Sequence, residues 1–402
     1  MQPLVVRCGL PIKNKLMPKS SKICSIKILM LICLISISIK AFSQKAETYL
    51  FVGTYTGGMP DKGIYIYTFN TETGSLKLVS TGENIINPSF LAISPNGENI
   101  YACTATKLQY QGSISAFKFN AEAGTLAFIN KQSSGGDNPV YVTTDSNNKH
   151  IICGNYSGGS VAVFTTNTDG SLNPITQLIT FMGNGINERR QEKAHIHATV
   201  FSPDFKYLFI PDLGSDKIYI FNFNTNDSLT LKPATQQEYI AIPGSGPRHF
   251  TFHPNKHFAY SIDELSGTVT AFKYYEGSIE RIQTIFAYSK LQTEYNSADI
   301  HISPDGLFLY ASNRFENENT IAIFSIDTVF GTLKLIAHQP TLGENPRNFT
   351  IDPSGNYLIV ANQVSNNIVV FKRDPLTGLL TKTGIEVQVP APACLIMKEY
   401  GN

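Results

Sequence analysis

The chain has 402 residues, with 32 Lys and Arg against 31 Asp and Glu, 42% hydrophobic residues, six cysteines and no tryptophan. A balance this close to neutral offers no basic excess to replace phosphate counterions, which excludes nucleic acid as an expected partner. The length and apolar content are enough for a sizeable buried core.

The first 43 residues carry seven basic and no acidic side chains, and an apolar run over 28–39 is followed by Ala41-Phe42-Ser43 before Gln44. This pattern predicts an export signal over 1–43, cleaved after Ser43, and a periplasmic or secreted mature protein. The run is too short to span a bilayer comfortably, so no stable membrane insertion is expected after cleavage. The remaining 44–402 keeps 25 basic and 31 acidic side chains and three cysteines, Cys103, Cys153 and Cys394. All three lie in apolar runs without a Cys-x-x-Cys pair, which reads as buried free thiols rather than a disulfide framework.

The mature chain opens directly on a strand, Thr48-Tyr49-Leu50-Phe51-Val52-Gly53, followed by Gly63-Ile64-Tyr65-Ile66-Tyr67 and Leu76-Lys77-Leu78. From there one unit recurs: a strand, a tight turn, a second strand and a later Gly-Ser/Thr-Leu type turn. The first turn reads Ser94-Pro95-Asn96-Gly97, Asp145-Ser146-Asn147, Ser202-Pro203-Asp204-Phe205, His253-Pro254-Asn255, Ser303-Pro304-Asp305-Gly306 and Asp352-Pro353-Ser354-Gly355, at spacings of 51, 57, 51, 50 and 49 residues. Apolar residues alternate within each unit, as in Phe250-Thr251-Phe252, which is strand periodicity. Four strands per unit, here A to D from the inside outward, and about 51 residues per unit predict an all-β, seven-bladed β-propeller of four-stranded antiparallel blades. The second turn occurs once more than the first, because the opening blade lacks a strand A. The C-terminal Ala391-Pro392-Ala393-Cys394-Leu395-Ile396 copies the start of strand A and is expected to pair with the N-terminal blade and close the ring.

Aligning the blades on the first turn turns offsets into rings around the channel. Six positions before the turn stand Ser89, Val140, His197, Arg248, Ala298 and Arg347, with Ala393 from the closing strand. Ten positions after it stand Ala105, Tyr156, Leu213, Glu264, Arg314 and Gln363, preceded by Thr104, Asn155, Asp212, Asp263, Asn313 and Asn362. The nearly constant second set reads as structural caps. The charged departures His195, His197, Arg248, His249, Glu264, Asp299, His301, Arg314 and Arg347 are expected together at one channel mouth as a polar binding site. Arginine forks suit an anionic substrate and a developing oxyanion, and His or Glu suits proton transfer from water. No Gly-x-Ser-x-Gly elbow supports a covalent serine route. His195-Ile196-His197 places two imidazoles on one strand face, but spacing fixes no third ligand, so no metal and no cofactor are expected. The long connection over 181–193 precedes His195 and reads as a gate over the site, as the carrier of substrate-binding Arg189 and Arg190, or as a solvated surface loop.

These residues also carry a resemblance. Ala194-His195-Ile196-His197, Pro211-Asp212-Leu213-Gly214, Gly246-Pro247-Arg248-His249-Phe250, Asp263-Glu264-Leu265 and Ser312-Asn313-Arg314 resemble the lactonase family of seven-bladed propellers. That family includes propeller-type 6-phosphogluconolactonases and is similar to carboxy-cis,cis-muconate cyclase. The resemblance implies an active site of His197 or its neighbour His195, with Arg248, Arg314 and Glu264 as catalytic groups. His195, His249, Asp299, His301 and Arg347 are then the expected substrate-binding residues. The expected activity is hydrolysis of a sugar lactone, anionic in character, by a monomer. The alternatives are a non-catalytic propeller that binds carbohydrate or protein, and a lactonizing cyclase.

Overall fold

Both faces of the inner strands are apolar because each blade is packed between two others. In the computed structural model, which describes residue 9 and residues 46–401 apart from 107, 110, 316 and 317, strands build seven four-stranded antiparallel sheets, blades 1 to 7 in chain order over 47–82 (with 392–400), 88–133, 139–180, 200–240, 247–286, 297–340 and 346–388. The expected propeller is therefore the fold. The export signal expected over 1–43 lies outside the described residues, among which no helix is long and apolar enough to cross a membrane.

Along the strand Glu47–Thr54, Tyr49 and Phe51 join an apolar cluster with blade 2, while Leu50 and Val52 join another with blade 7. Side chains alternate faces along a strand, so one segment fills two interblade wedges. Seven such clusters lie one at each junction between neighbouring blades. Cys103, Cys153 and Cys394 are buried free thiols within these wedges.

The recurring second turn has a packing role. Tyr101, Tyr260 and Tyr310 donate their hydroxyls to the carbonyls of Gly170, Gly331 and Gly378, each in the turn of the next blade. Gly331 has φ 72°, and a Cβ there would come within 2.3 Å of the Phe258 ring. The turn thus needs glycine for its backbone and for the close approach of the neighbouring blade.

Ring closure follows the expected pairing. Pro392–Tyr400 runs antiparallel to Glu47–Thr54, with Glu47 opposite Tyr400 and Gly53 opposite Cys394, giving blade 1 its inner strand from the far end of the chain.

Candidate active site

Two local devices, repeated in most blades, aim side chains at one channel mouth. Asn87, Asn138, Gly246, Asn345 and Ala391 have positive φ directly before a proline that opens strand A. Their carbonyls accept the N–H of Ala105, Tyr156, Glu264, Gln363 and Tyr55, the residues just past strand B, and the carbonyls of His195 and Asn296 do the same for Leu213 and Arg314. A β-bulge follows, between Pro139 and Tyr141, Pro247 and His249, and Pro346 and Asn348. A bulge re-aims the extra residue. Here the displaced residues are Val140, Arg248 and Arg347, members of the ring six positions before the turn.

The mouth holds a cavity of about 200 Å³ lined by Tyr55, Asn138, Val140, Tyr156, Arg190, His197, Glu264, Asn296, Arg314 and Arg347. Glu264 is its electrostatic centre. Its Oε2 accepts from Arg248 Nε at 2.8 Å and Arg314 Nη2 at 3.1 Å, and its Oε1 from Arg190 Nη2 at 2.5 Å. Burial works to raise the Glu264 carboxyl, but Arg314, Arg248 and Arg190 outweigh it and hold it down to about 2. Four guanidinium groups, with Arg347, surround this one carboxylate, so the site carries a positive excess.

His197 lines the same cavity. Burial, reinforced by Arg248, His249 and Arg347, holds its imidazole well below the ordinary histidine value, so the ring is neutral at pH 7. His197 Nδ1, Arg314 Nε and Asn296 Oδ1 are buried without a hydrogen-bond partner among the described residues, and all three residues line this cavity. Buried polar atoms are nearly always paired, so three such atoms at one cavity mark where a bound molecule is to be sought.

Behind Glu264 a polar chain runs down the channel. Arg248 Nη1 donates to the Ala298 carbonyl and meets His249 Nε2 at 3.1 Å, and His249 Nδ1 lies 2.7 Å from Asp299 Oδ1. Arginine can only donate, so His249 is neutral, accepting at Nε2 and donating from Nδ1 to Asp299. Asp299 Oδ2 also accepts from His301 Nε2 at 2.9 Å and from Asn348 Nδ2 at 2.5 Å. Burial and Arg248 press His249 down to about 4, whereas Asp299 outweighs burial at His301 and raises it. A depressed folded value means that below 6.5 the unfolded chain binds the extra proton, so stability falls as pH drops from 6.5 toward 4. His249 contributes roughly 1.4 kcal/mol of loss per pH unit there. His301 has the opposite sign: its contribution is present below 6.5 and is lost as pH rises. Urea midpoints between pH 4 and 7 check this, with the His249→Asn variant expected to show the flatter slope.

The structure gathers His197, Glu264, Arg314 and Arg347 at the cavity, but not all nine expected residues. Arg248 sits behind Glu264, 2% exposed, and supports it rather than lining the cavity. His195 stacks on Tyr156 at 4.4 Å and spends both ring nitrogens on the Tyr156 carbonyl and Glu192, which takes it out of the site. His249, Asp299 and His301 line a separate channel cavity of about 660 Å³ that reaches Pro95 and Pro203 at the other mouth. The reason is the strand rise of about 3.3 Å per residue: each step along strand A from the bulge moves a side chain away from the first mouth. The Asx ring is structural, as Asn155, Asn313 and Asn362 donate to the carbonyls of Ser134, Ala287 and Thr341. Among the described residues no group of His, Cys, Asp or Glu side chains is arranged to hold a metal ion.

A family model described as "Lactonase, 7-bladed beta-propeller" matches residues 49–397. The chain belongs to the lactonase family. A 6-phosphogluconolactonase of Formosa agariphila is 47% identical over 356 residues, covering 88% of this chain and 100% of its own length. One of Bacillus subtilis is 34% identical over 348 residues, covering 86% and 97%. The solved structure of the Pseudomonas aeruginosa periplasmic gluconolactonase matches with a TM-score of 0.83 at 33% identity, over 88% of this chain and 99% of that one.

Within this lactonase-family propeller, charge alone missed several cavity residues. Asn138 and Asn296 belong to a ring eight positions before the turn, and Tyr55 is the blade 1 member of the ring that holds Tyr156, Glu264 and Arg314. The same alignment, extended to uncharged side chains and to blade 1, finds them. Arg190 comes from the 181–193 connection, while Arg189 is exposed. Gln191 pins that connection to blade 4, donating to the Leu213 carbonyl at 2.9 Å and to Asp216 Oδ1 at 2.8 Å.

Proposed function

We propose that the chain hydrolyses a sugar lactone in the 200 Å³ cavity, whose positive excess serves the developing oxyanion. The observation that carries this reading is the convergence of three unpartnered buried polar atoms, on His197, Arg314 and Asn296, on a pocket with excess positive charge. The relatives named as gluconolactonases support the reaction class.

In this reading Arg190 and Arg314 face the lactone carbonyl oxygen and stabilise the oxyanion as water adds to the carbonyl carbon. Neutral His197 takes the proton of the attacking water. The ring C–O bond then breaks, and the imidazolium returns its proton to the departing ring oxygen. Glu264 anchors the guanidinium groups and moves no proton, because a carboxyl held near 2 is too weak a base. Arg347, donating to the Tyr55 hydroxyl at 3.0 Å, fixes the far wall. The export signal over 1–43 forms part of the same proposal and places the reaction in the periplasm or outside the cell.

The test is lactone opening by the purified protein, followed by proton release. His197→Ala is expected to lower kcat by about a hundredfold or more, the usual worth of a positioned acid–base group. The acid limb of the wild-type pH–rate profile should lie below 6.5, in the direction burial shifts His197. Wild-type turnover in the variant removes His197 from the mechanism.

A further inference from the structure

Tyr55, Asn138 and Arg347 have open space on both sides. One side is the small cavity; the other is a cleft of about 1020 Å³ that spreads over blades 1, 2 and 7. The two spaces differ in chemistry. Arg190, Arg314 and Glu264 line only the small cavity, whereas the cleft presents Thr104, Ser113, Asn138 and Gln363, with Lys131 exposed at its side. None of those four hydroxyl and amide side chains has a hydrogen-bond partner among the described residues. At the shared boundary the Arg347 guanidinium lies 5.3 Å over the Tyr55 ring.

We infer that the preferred substrate is a lactone bearing a second, uncharged sugar unit, with the lactone ring in the small cavity and the glycosyl substituent in the cleft. This rests on the proposed lactone hydrolysis and names its substrate class. A cavity of about 200 Å³ is smaller than the roughly 300–1,000 Å³ typical of ligand sites, so it takes one ring and little more. The rest of a larger substrate must pass Tyr55 and Asn138 into the cleft. Sugar hydroxyls both donate and accept, which matches unpaired amide and hydroxyl groups. A phosphate would call for converging arginine forks: those of Arg190 and Arg314 are on the other side of the wall, and that of Arg347, which also borders the cleft, is engaged by the Tyr55 hydroxyl and ring. The bond broken remains the lactone C–O bond, and the glycosidic bond stays intact.

The experiment compares glucono-1,5-lactone with cellobiono-1,5-lactone on the full folded chain. The disaccharide lactone is expected to show about tenfold higher kcat/KM, mainly through KM, the worth of one or two added hydrogen bonds. In the double variant Thr104→Val, Gln363→Leu, checked for an unchanged melting curve, that ratio should fall to near one. A wild-type ratio of one or less, or a ratio that survives the double variant, overturns the inference while leaving the hydrolase reading intact. If neither lactone is opened, the hydrolase reading fails. Calorimetry with cellobionate and gluconate then decides the cleft: tighter binding of the disaccharide acid supports it, and equal binding overturns it.

Discussion

Glu264→Gln should lower the unfolding free energy by about 3–5 kcal/mol, the cost of leaving buried charge without its partner. The amide keeps the shape of the side chain but removes the single negative charge shared by Arg248, Arg314 and Arg190. Water cannot substitute, because the Arg248 and Arg314 side chains are only 2% and 8% exposed. Arg190, at 38% exposure, can turn outward, so lactone opening should weaken along with stability. Urea denaturation reads the effect as a lower midpoint at unchanged slope. Adding Arg248→Met should restore part of the loss, since it deletes one of the two buried guanidinium groups left without a carboxylate. A cost below about 1 kcal/mol, the range of exposed pairs, would mean that the three-arginine cluster does not hold Glu264 as described.

That cluster also shows how far the sequence carries. Glu264 and Arg314 are legible because each breaks a ring of otherwise uncharged residues, and the hydrogen bond that sets the ring recurs in every blade. Asp299 and His301 break the pattern equally well, yet they serve the channel beyond the site. Offset along the chain says which strand a residue occupies; depth in the channel depends on the bulge and on the rise per residue, which composition does not encode. Arg190 is harder still. Its connection has no counterpart in the other blades, and its position is set by Gln191 reaching Leu213 and Asp216, contacts between segments over twenty residues apart. The fold was more legible than the site because alternation is dictated locally, whereas a loop placed by tertiary bonds is not.

Deletion of residues 390–402 is expected to abolish cooperative folding. It removes Pro392–Tyr400, and with it the inner strand of blade 1 and its ladder to Glu47–Thr54. Cys394 and Leu395 leave two different interblade clusters, opening the wedges on both sides of blade 1. Bonds from Leu395 N to Asn348 Oδ1 at 2.6 Å and from the Tyr400 hydroxyl to the Gly97 carbonyl at 2.9 Å are lost as well. The exposed edge of Glu47–Thr54 then becomes a template for pairing with other chains. Circular dichroism should show no sharp thermal transition, and light scattering should show association. Adding the 390–402 peptide in trans should recover a transition, because it supplies the same strand without the covalent link. A truncated chain that melts like the full protein would mean that blade 1 stands without its closing strand, and the ring would then owe its stability to the other wedges alone.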